Sequence, residues 1–191
     1  MMLKIGHRVL KILLHTFYRF RIAGRQNIPP GGAILCCNHT AYFDPLFVIC
    51  VCKEFPYTMG KVELFNKKWK AAFFRWVRVF PVHRETADLR AIKTALDLLR
   101  AGNRLQIFPE GTRFKTEENK RGVAMLALKT GVPIVPVFIT EGKKRLFRRI
   151  DVVIGAPYHP EIEGKKPGPD DYARVADQSM ARVYALRPNR G

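Results

Sequence analysis

The fold is decided by residues 33–52, AILCCNHTAYFDPLFVICVC, which pass from an apolar run through a polar loop into a second apolar run. Residues 33–37 predict a buried strand, because they are apolar throughout and follow a turn rich in proline and glycine. Asp44 and Pro45 predict the start of a short helix, since Asp favours the N-cap and Pro the first helical position. His39 therefore lies in a loop between the end of a strand and a helix.

Short apolar strands and amphipathic helices alternate through the rest of the chain. Strands are expected at residues 56–60, 79–82, 105–108, 133–139 and 151–154. Helices are expected at residues 46–52, 67–77, 121–129 and about 170–186, and one more is capped by Thr86 and ended by Gly102. For a chain of 191 residues, this alternation predicts a single α/β domain whose sheet, mostly parallel or mixed, is flanked by helices.

Residues 3–22 predict a helix with two faces. Basic side chains recur at steps of three and four on one face, at Lys4, Arg8, Lys11, His15 and Arg19. Large apolar side chains gather on the other face, at Leu10, Leu13, Leu14, Phe17 and Phe20. Such a helix is typical of a membrane interface, and the alternative is an ordinary surface helix packed on the core. We therefore treat residues 1–23 as an N-terminal amphipathic interfacial helix and residues 24–191 as the main domain.

The charge of the chain predicts an anionic partner. Its 34 Lys and Arg exceed its 16 Asp and Glu, which gives a formal net charge of +18. Nucleic acid, an anionic membrane and phosphorylated substrates all satisfy this excess, so charge alone does not choose among them. No uncharged apolar run reaches the roughly 18 to 20 residues of a transmembrane helix. A membrane would therefore be bound at its surface rather than spanned.

The four cysteines do not have the CxxC spacing of a zinc or redox site; they are Cys36, Cys37, Cys50 and Cys52. Cys36 and Cys37 point to opposite faces of the predicted strand, so they cannot share a metal ion. We expect buried free thiols and no metal site. Reduced thiols, together with the absence of a secretory signal peptide, favour a peripheral protein on the cytoplasmic face of a membrane.

His39 is the candidate general base. An imidazole has an ordinary pKa of about 6.5 and can therefore take a proton near neutral pH. It works as a base when its other ring nitrogen is held by a carboxylate or a carbonyl, and Asp44 could fold back within the loop to do this. The plainer alternatives are a structural histidine and an aspartate that only caps the helix.

The chain offers no obvious protein nucleophile. It contains a single serine, Ser179, which lies outside every motif, so a hydrolase with a Gly-x-Ser-x-Gly elbow is excluded. Cys36 and Cys37 come shortly before His39, but a strand interior is a poor place for an activated thiolate. A His-Asp pair without such a nucleophile predicts that His39 activates a substrate hydroxyl or water.

An anion site is predicted where loops follow strand ends, because ligands collect at that edge of an α/β sheet. Gly111 allows close backbone approach, and Arg113 has the planar fork that suits phosphate. Lys61 and Arg84 add positive charge. Each of these basic side chains could instead be an ordinary solvated one, and Glu110 could simply order the turn by pairing with Arg113.

Taken together, these residues resemble the glycerolipid acyltransferase family, the PlsC-like group. The sequence blocks of that family are matched in order by NHTAYFD at 38–44, GKVELF at 60–65 with Arg84 beyond it, FPEGTR at 108–113 and VPIVPV at 132–137. The resemblance covers residues 24 to about 157, so the main domain 24–191 is identified as an acyltransferase domain. Phe114 departs from the family, which often has Ser there, and the segment before the first block is shorter than in many relatives.

The resemblance implies an enzyme that moves a fatty acyl group from acyl-CoA or acyl carrier protein to the sn-2 hydroxyl of 1-acyl-sn-glycerol 3-phosphate, giving phosphatidic acid. His39 would remove the hydroxyl proton and Asp44 would orient His39. A covalent intermediate, a metal and a cofactor are not implied, because the thioester is already activated. The implied partners are the lysophospholipid, the acyl donor and an anionic membrane surface.

The resemblance also assigns the basic and turn residues. The acceptor phosphate would be bound by Lys61, Arg84 and Arg113. The turn of the third block consists of Glu110, Gly111 and Thr112. Backbone N–H groups near Gly111 would stabilise the oxyanion.

Two alternatives stay open at the level of sequence. Within the family, the acceptor could be another lysolipid or glycerol 3-phosphate. In a different class, the chain could be a non-catalytic basic protein that binds a membrane or nucleic acid. The chain has no aromatic RNA-binding strand, no zinc spacing and no clear recognition helix, so we expect no nucleic-acid partner.

Overall fold

A computed structural model of the chain describes residues 2–83, 88–110, 117–142, 147, 149–162, 164 and 166–188, with only the backbone for residues 2–4 and 117–120. Its helices are α1 (Met2–Phe17), α2 (Asp44–Val51), α3 (Lys68–Trp76), α4 (Leu89–Arg100), α5 (Glu117–Thr130) and α6 (Pro169–Ala185). Its strands are β1 (Arg19–Ala23), β2 (Ala33–Cys37), β3 (Tyr57–Lys61), β4 (Val79–Val82), β5 (Arg104–Ile107), β6 (Ile134–Ile139) and β7 (Arg149–Ile154). Short 3₁₀ turns cover Arg25–Asn27 and Val62–Phe65.

The described strands form one mixed sheet in the order β1-β7-β6-β2-β5-β3-β4. Strands β2 to β6 run parallel to one another, whereas β7 is antiparallel to β6 and parallel to β1. The predicted α/β fold with a mixed sheet flanked by helices is therefore confirmed. The parallel arrangement brings the carboxyl ends of β2, β3, β4, β5 and β6 to one edge of the sheet.

Both faces of the sheet are covered, and β2 lies at the centre. All five residues of β2 are buried, as its continuous apolar sequence predicts. Cys37 packs in the cluster with α1 and α2, and Cys36 packs in the cluster with α4, α5 and α6. The expectation of buried free thiols is confirmed for Cys36, Cys37, Cys50 and Cys52.

The predicted helix over residues 3–22 is wrong in its last part. Helix α1 ends at Phe17, and residues 19–23 form β1, which pairs in parallel with β7. Phe20 and Ile22 pack against the core, whereas Arg19 and Arg21 are exposed. Alternation with a period of two is the pattern of a strand, and the two exposed arginines suit a strand at the sheet edge.

The side chains of α1 that face the core differ from those of the predicted apolar face. Leu10 and Leu14 pack towards the core, and Lys11 donates a hydrogen bond to Cys52 O at 2.8 Å. The large apolar side chains on the outer side are exposed; they are Ile5, Val9, Ile12, Leu13 and Phe17. In the part of the chain that the structure describes, helices are too short or too polar to cross a membrane.

Two predicted helix caps differ in the structure. Asp88, rather than Thr86, caps α4, because its Oδ1 accepts the N–H groups of Arg90 at 3.1 Å and Ala91 at 3.0 Å; Thr86 itself lies outside the described residues. Asp44 is the first residue of α2 rather than its cap, and the capping position is held by Phe43 without a side-chain hydrogen bond. The carboxylate of Asp44 is therefore available to the loop that precedes it.

Candidate active site

The loop after β2 is anchored to the end of β6 by Asn38. Its amide donates to Ile139 O at 2.9 Å, and its carbonyl oxygen accepts the Ile139 N–H at 2.7 Å. Asn38 is fully buried, so both polar groups of the amide are satisfied by one backbone residue of the neighbouring strand. Sequence reasoning assigned Asn38 no role, although this bond fixes where the next residue, His39, leaves the sheet.

Asp44 organises the loop between β2 and α2. Its Oδ2 accepts the N–H groups of Thr40 and Ala41, each at 2.7 Å, and lies 3.3 Å from Nδ1 of His39. The carboxylate is completely buried, so these donors replace the water that it would otherwise bind. The predicted approach of Asp44 to His39 is present, and it arises because the chain turns tightly before α2 begins.

His39 lies at the surface end of this arrangement. Its side chain is only 10% exposed, and its ring centroid is 4.7 Å from that of Phe108, which follows β5. When Nδ1 carries the proton and donates it to Asp44, the lone pair of Nε2 is free to accept a proton from another molecule. The geometry therefore suits a general base whose tautomer is held by a buried carboxylate.

Glu110 is held by a residue from the far end of the chain. The Tyr184 hydroxyl, on α6, donates to the Glu110 carboxylate, with 2.7 Å to Oε1 and 2.8 Å to Oε2. Burial and the bond to Glu110 raise the pKa of the Tyr184 hydroxyl, so it stays protonated and remains a donor. Arg187 packs on the Tyr184 ring and forms an ion pair with Glu141 at 2.7 Å. Sequence reasoning missed Tyr184, because 74 positions separate it from Glu110.

The predicted phosphate-binding residues are described only in part. Lys61 is the last residue of β3 and lies at the same sheet edge as His39 and Glu110. The remaining residues predicted for this site and its turn lie outside the described residues; they are Arg84, Gly111, Thr112 and Arg113. Their assignment to the phosphate and the oxyanion stays a prediction.

The cysteines and the serine are poorly placed for nucleophilic attack. Burial raises the pKa of the Cys36 thiol to about 12 and that of Cys37 well above its usual range, so both are protonated at neutral pH. Ser179 is buried and donates to Val175 O at 2.7 Å. Among the residues that the structure describes, His, Cys, Asp and Glu side chains do not gather in a group of three that could hold a metal ion.

Comparison with known proteins agrees with this fold and shows its family. The model of the Acyltransferase family matches residues 19–140. The chain is 29% identical to the 1-acyl-sn-glycerol-3-phosphate acyltransferase of Bacillus subtilis, over 97% of this chain and 96% of that protein. It is also 29% identical to a probable 1-acyl-sn-glycerol-3-phosphate acyltransferase of Mycoplasma pneumoniae, over 86% of this chain and 70% of that protein.

A solved structure has the same fold. It is the crystal structure of the 1-acyl-sn-glycerophosphate acyltransferase PlsC from Thermotoga maritima, with a TM-score of 0.70. The match covers 99% of this chain and 80% of that chain at 21% sequence identity. At this identity the likeness concerns the fold, and the chemistry has to be argued from the residues at the sheet edge.

Proposed function

The chain belongs to the acyltransferase family and is an enzyme of that type, and we propose that it acylates the sn-2 hydroxyl of 1-acyl-sn-glycerol 3-phosphate. The product would be phosphatidic acid, and the acyl donor a thioester on coenzyme A or on acyl carrier protein. The observation that carries the proposal is the His39–Asp44 pair, with Nδ1 and Oδ2 3.3 Å apart, at the carboxyl edge of the sheet. The names of relatives that match nearly the whole chain support the choice of acceptor.

In the proposed reaction, His39 acts as base and then as acid. Nε2 takes the proton of the acceptor hydroxyl while that oxygen attacks the carbonyl carbon of the thioester. The carbonyl electrons move to its oxygen and form a tetrahedral oxyanion. Its collapse breaks the C–S bond, and the departing thiolate receives the proton from His39. Asp44 keeps the imidazolium oriented and stabilised between the two transfers.

Direct transfer without an acyl-enzyme is supported by the state of the thiols. Cys36 and Cys37 are fully buried and protonated, and neither provides the exposed thiolate that a covalent intermediate needs. A thioester carbonyl is already reactive towards an activated hydroxyl, so a single addition and elimination at the carbonyl transfers the acyl group directly to the acceptor. No metal or cofactor is required by this chemistry.

The acceptor phosphate is proposed to lie beside Lys61. This lysine ends β3, two strands away from β2 at the same edge of the sheet. Arg84 and Arg113 are assigned to the same phosphate on their sequence positions. Three basic groups around one phosphate would favour lysophosphatidate over a lysolipid without a phosphate at that position.

We place the enzyme at an anionic membrane surface, peripherally and on the cytoplasmic face. Both the lysophospholipid and its product reside in membranes, and the chain carries a formal net charge of +18. Basic residues near an anionic leaflet contribute on the order of 1 kcal/mol each. The exposed apolar side chains of α1 would face the lipid, as Ile12 and Phe17 do not pack in the core.

The test of this function is transfer of a radiolabelled acyl group from acyl-CoA or acyl carrier protein to lysophosphatidate in mixed micelles. His39→Ala is expected to lower the rate by about 10²- to 10⁴-fold, because the base is removed. Asp44→Asn is expected to reduce the rate as well, since the carboxylate charge that stabilises the imidazolium is lost. Circular dichroism would show that both variants are folded.

The matched control is His159→Ala, which replaces an exposed histidine outside the site and is expected to keep the wild-type rate. Lysolipids with other headgroups and glycerol 3-phosphate serve as competing acceptors in the same assay. Failure of the wild type to transfer from either donor to any of these acceptors would refute the proposal. Equal rates for wild type and His39→Ala would remove His39 as the base.

A further inference from the structure

Helix α3 exposes a row of aromatic side chains. Trp69 is 67% exposed, Phe73 51% and Trp76 41%, and their spacing of four and three residues places them on one face of the helix. Ala71, on the other side, is buried against the molecule. Single exposed apolar residues are common on protein surfaces, but a contiguous row of large aromatic rings marks a site of contact.

This aromatic row is joined to the exposed apolar face of α1. A Cβ atom on Gly6 would lie 2.4 Å from Cη2 of Trp76, so the indole packs directly on the backbone of α1. Leu13 and Phe17 follow Gly6 by seven and eleven residues, which places them on the same side of α1. Both side chains are exposed. The two helices therefore present one continuous surface, which we call the α1–α3 surface: Ile5, Val9, Ile12, Leu13, Phe17, Trp69, Phe73 and Trp76.

The charge around the α1–α3 surface is positive. Neither α1 nor α3 contains an Asp or Glu. Exposed basic residues lie on the two helices or directly before α3; they include Arg8, Lys67, Lys68 and Arg75. The ammonium group of Lys70 lies 5.6 Å from the centre of the Trp69 ring. Apolar and tryptophan side chains edged by Lys and Arg match the chemistry of an anionic lipid interface, in which rings enter the headgroup region and cations meet phosphates.

We propose that α3 docks on the membrane together with α1, and that the α1–α3 surface lies on an anionic bilayer with Trp69 and Phe73 inserted. The inference rests on the proposed function only in that the acceptor is a lipid. The 3₁₀ turn Val62–Phe65, with Leu64 exposed, connects Lys61 to α3, so the surface reaches the edge of the sheet where the acceptor phosphate would bind. A lysolipid could then pass from the bilayer to His39 without entering water.

Tryptophan fluorescence of the full chain tests this directly, because both tryptophans of the protein, Trp69 and Trp76, belong to α3. Vesicles of phosphatidylglycerol and phosphatidylcholine, free of donor and acceptor, are expected to shift the emission to shorter wavelength and to reduce quenching by acrylamide. The shift should weaken in high salt, because salt screens the attraction between the basic side chains and the lipid phosphates. It should also weaken with vesicles of phosphatidylcholine alone, because this lipid has no net negative charge.

Two variants are compared with the wild type by their vesicle partition coefficients. Replacing both Trp69 and Phe73 with Ala is expected to lower the vesicle partition coefficient at least about tenfold, because each ring carries a large apolar area into the interface. Leu89→Ala, which shortens an exposed apolar side chain on α4, a helix on the face of the sheet opposite to α1, is the matched control and should bind like the wild type. Circular dichroism checks that the double variant is folded.

The outcomes separate this inference from the catalytic proposal. His39→Ala is expected to show the wild-type shift, so loss of transfer and loss of docking are measured independently. A chain that sediments with vesicles while its tryptophan emission and quenching stay unchanged would overturn the role of α3. A blue shift that grows with protein concentration in the absence of lipid would also overturn it, and would indicate a second copy of the chain on this surface.

Discussion

At the scale of single residues, the site depends on a few groups that each satisfy several partners. Asp44 accepts two backbone N–H groups and faces His39 with the same oxygen, Oδ2. Asn38 binds both polar groups of the Ile139 backbone. Buried hydrogen bonds thereby set the position of the loop after β2 and the orientation of His39. A buried polar group without a hydrogen-bond partner costs free energy, so these positions are strongly preferred.

Tyr184→Phe tests the contact that positions Glu110. Loss of the hydroxyl removes the donor to a part-buried carboxylate, and we expect the free energy of unfolding to fall by about 1 to 3 kcal/mol. The rate of acyl transfer should fall as well, because the turn that begins at Glu110 carries the predicted anion site. Urea unfolding and the micelle assay measure the two effects.

Tyr172→Phe, a matched hydroxyl deletion on the same helix, is the control and should change both quantities little. If Tyr184→Phe were as stable and as active as Tyr172→Phe, the bond to Glu110 would have no part in holding the turn.

At the scale of secondary-structure elements, the junction after β1 requires a glycine. Gly24 directly follows β1 with φ at 77°, and a Cβ there would lie 2.0 Å from Ile154 O at the end of β7. Asn27 donates to the same carbonyl at 2.9 Å. The chain can therefore leave the sheet edge only through a residue without a side chain.

Gly24→Ala is expected to destabilise the fold by roughly 2 to 5 kcal/mol, the sum of a left-handed backbone and a forced displacement of β7. Gly102→Ala is the matched control, because Gly102 has φ at 80° but no atom within 4 Å of its added Cβ. It should cost only about 1 to 2 kcal/mol. Equal unfolding midpoints for the two variants would contradict the close approach of Gly24 to β7.

At the scale of the whole molecule, the sheet separates the hydrophobic core into two clusters, one on each face. Helices α4, α5 and α6 enclose one cluster of the core, whereas α1 and α2 cover the other face. Helix α1 is attached to that face by a buried histidine, since His7 Nε2 lies 2.9 Å from Ile49 O and its ring centroid 4.7 Å from that of Phe55. The position of α1 is thereby coupled to the stability of the fold.

The stability of the protein should depend on pH through His7. Burial is the main cause that lowers the pKa of His7 below its ordinary 6.5, against the opposing effect of its bond to Ile49. Above pH 6.5 the imidazole is neutral in both folded and unfolded chains. As the pH falls below that value, the unfolded chain binds a proton that the folded chain does not, so the free energy of unfolding decreases.

Urea unfolding of wild type and His7→Gln measures this effect at about pH 7.5 and about pH 5.5, one value on each side of the ordinary histidine pKa. The glutamine amide can still donate to Ile49 O but does not titrate in this range. We expect the difference in stability between the two proteins to be smaller at the lower pH. A difference that is independent of pH would mean that His7 takes up its proton equally in both states.

Much of the architecture follows from local sequence patterns. The strands at 33–37 and 79–82 are reproduced residue for residue, and the helix at 67–77 is one residue shorter at each end. Apolar runs and helical periodicity act over a few neighbouring positions, so they can be recognised along the chain. The close His39–Asp44 pair was also predictable, because only residues 40–43 lie between them.

By itself, the sequence determined the α/β alternation, the buried thiols, the His-Asp pair and the excess of positive charge, all of which are properties of neighbouring residues or of composition. Only the tertiary structure decided that Tyr184 holds Glu110, that Asn38 binds β6, that residues 19–23 join β7, and that the rings of α3 meet α1. Tyr184 and Glu110 are 74 positions apart, Asn38 and Ile139 101, and the paired residues of β1 and β7 130. Their partners are chosen by the packing of the whole sheet, which no local periodicity encodes.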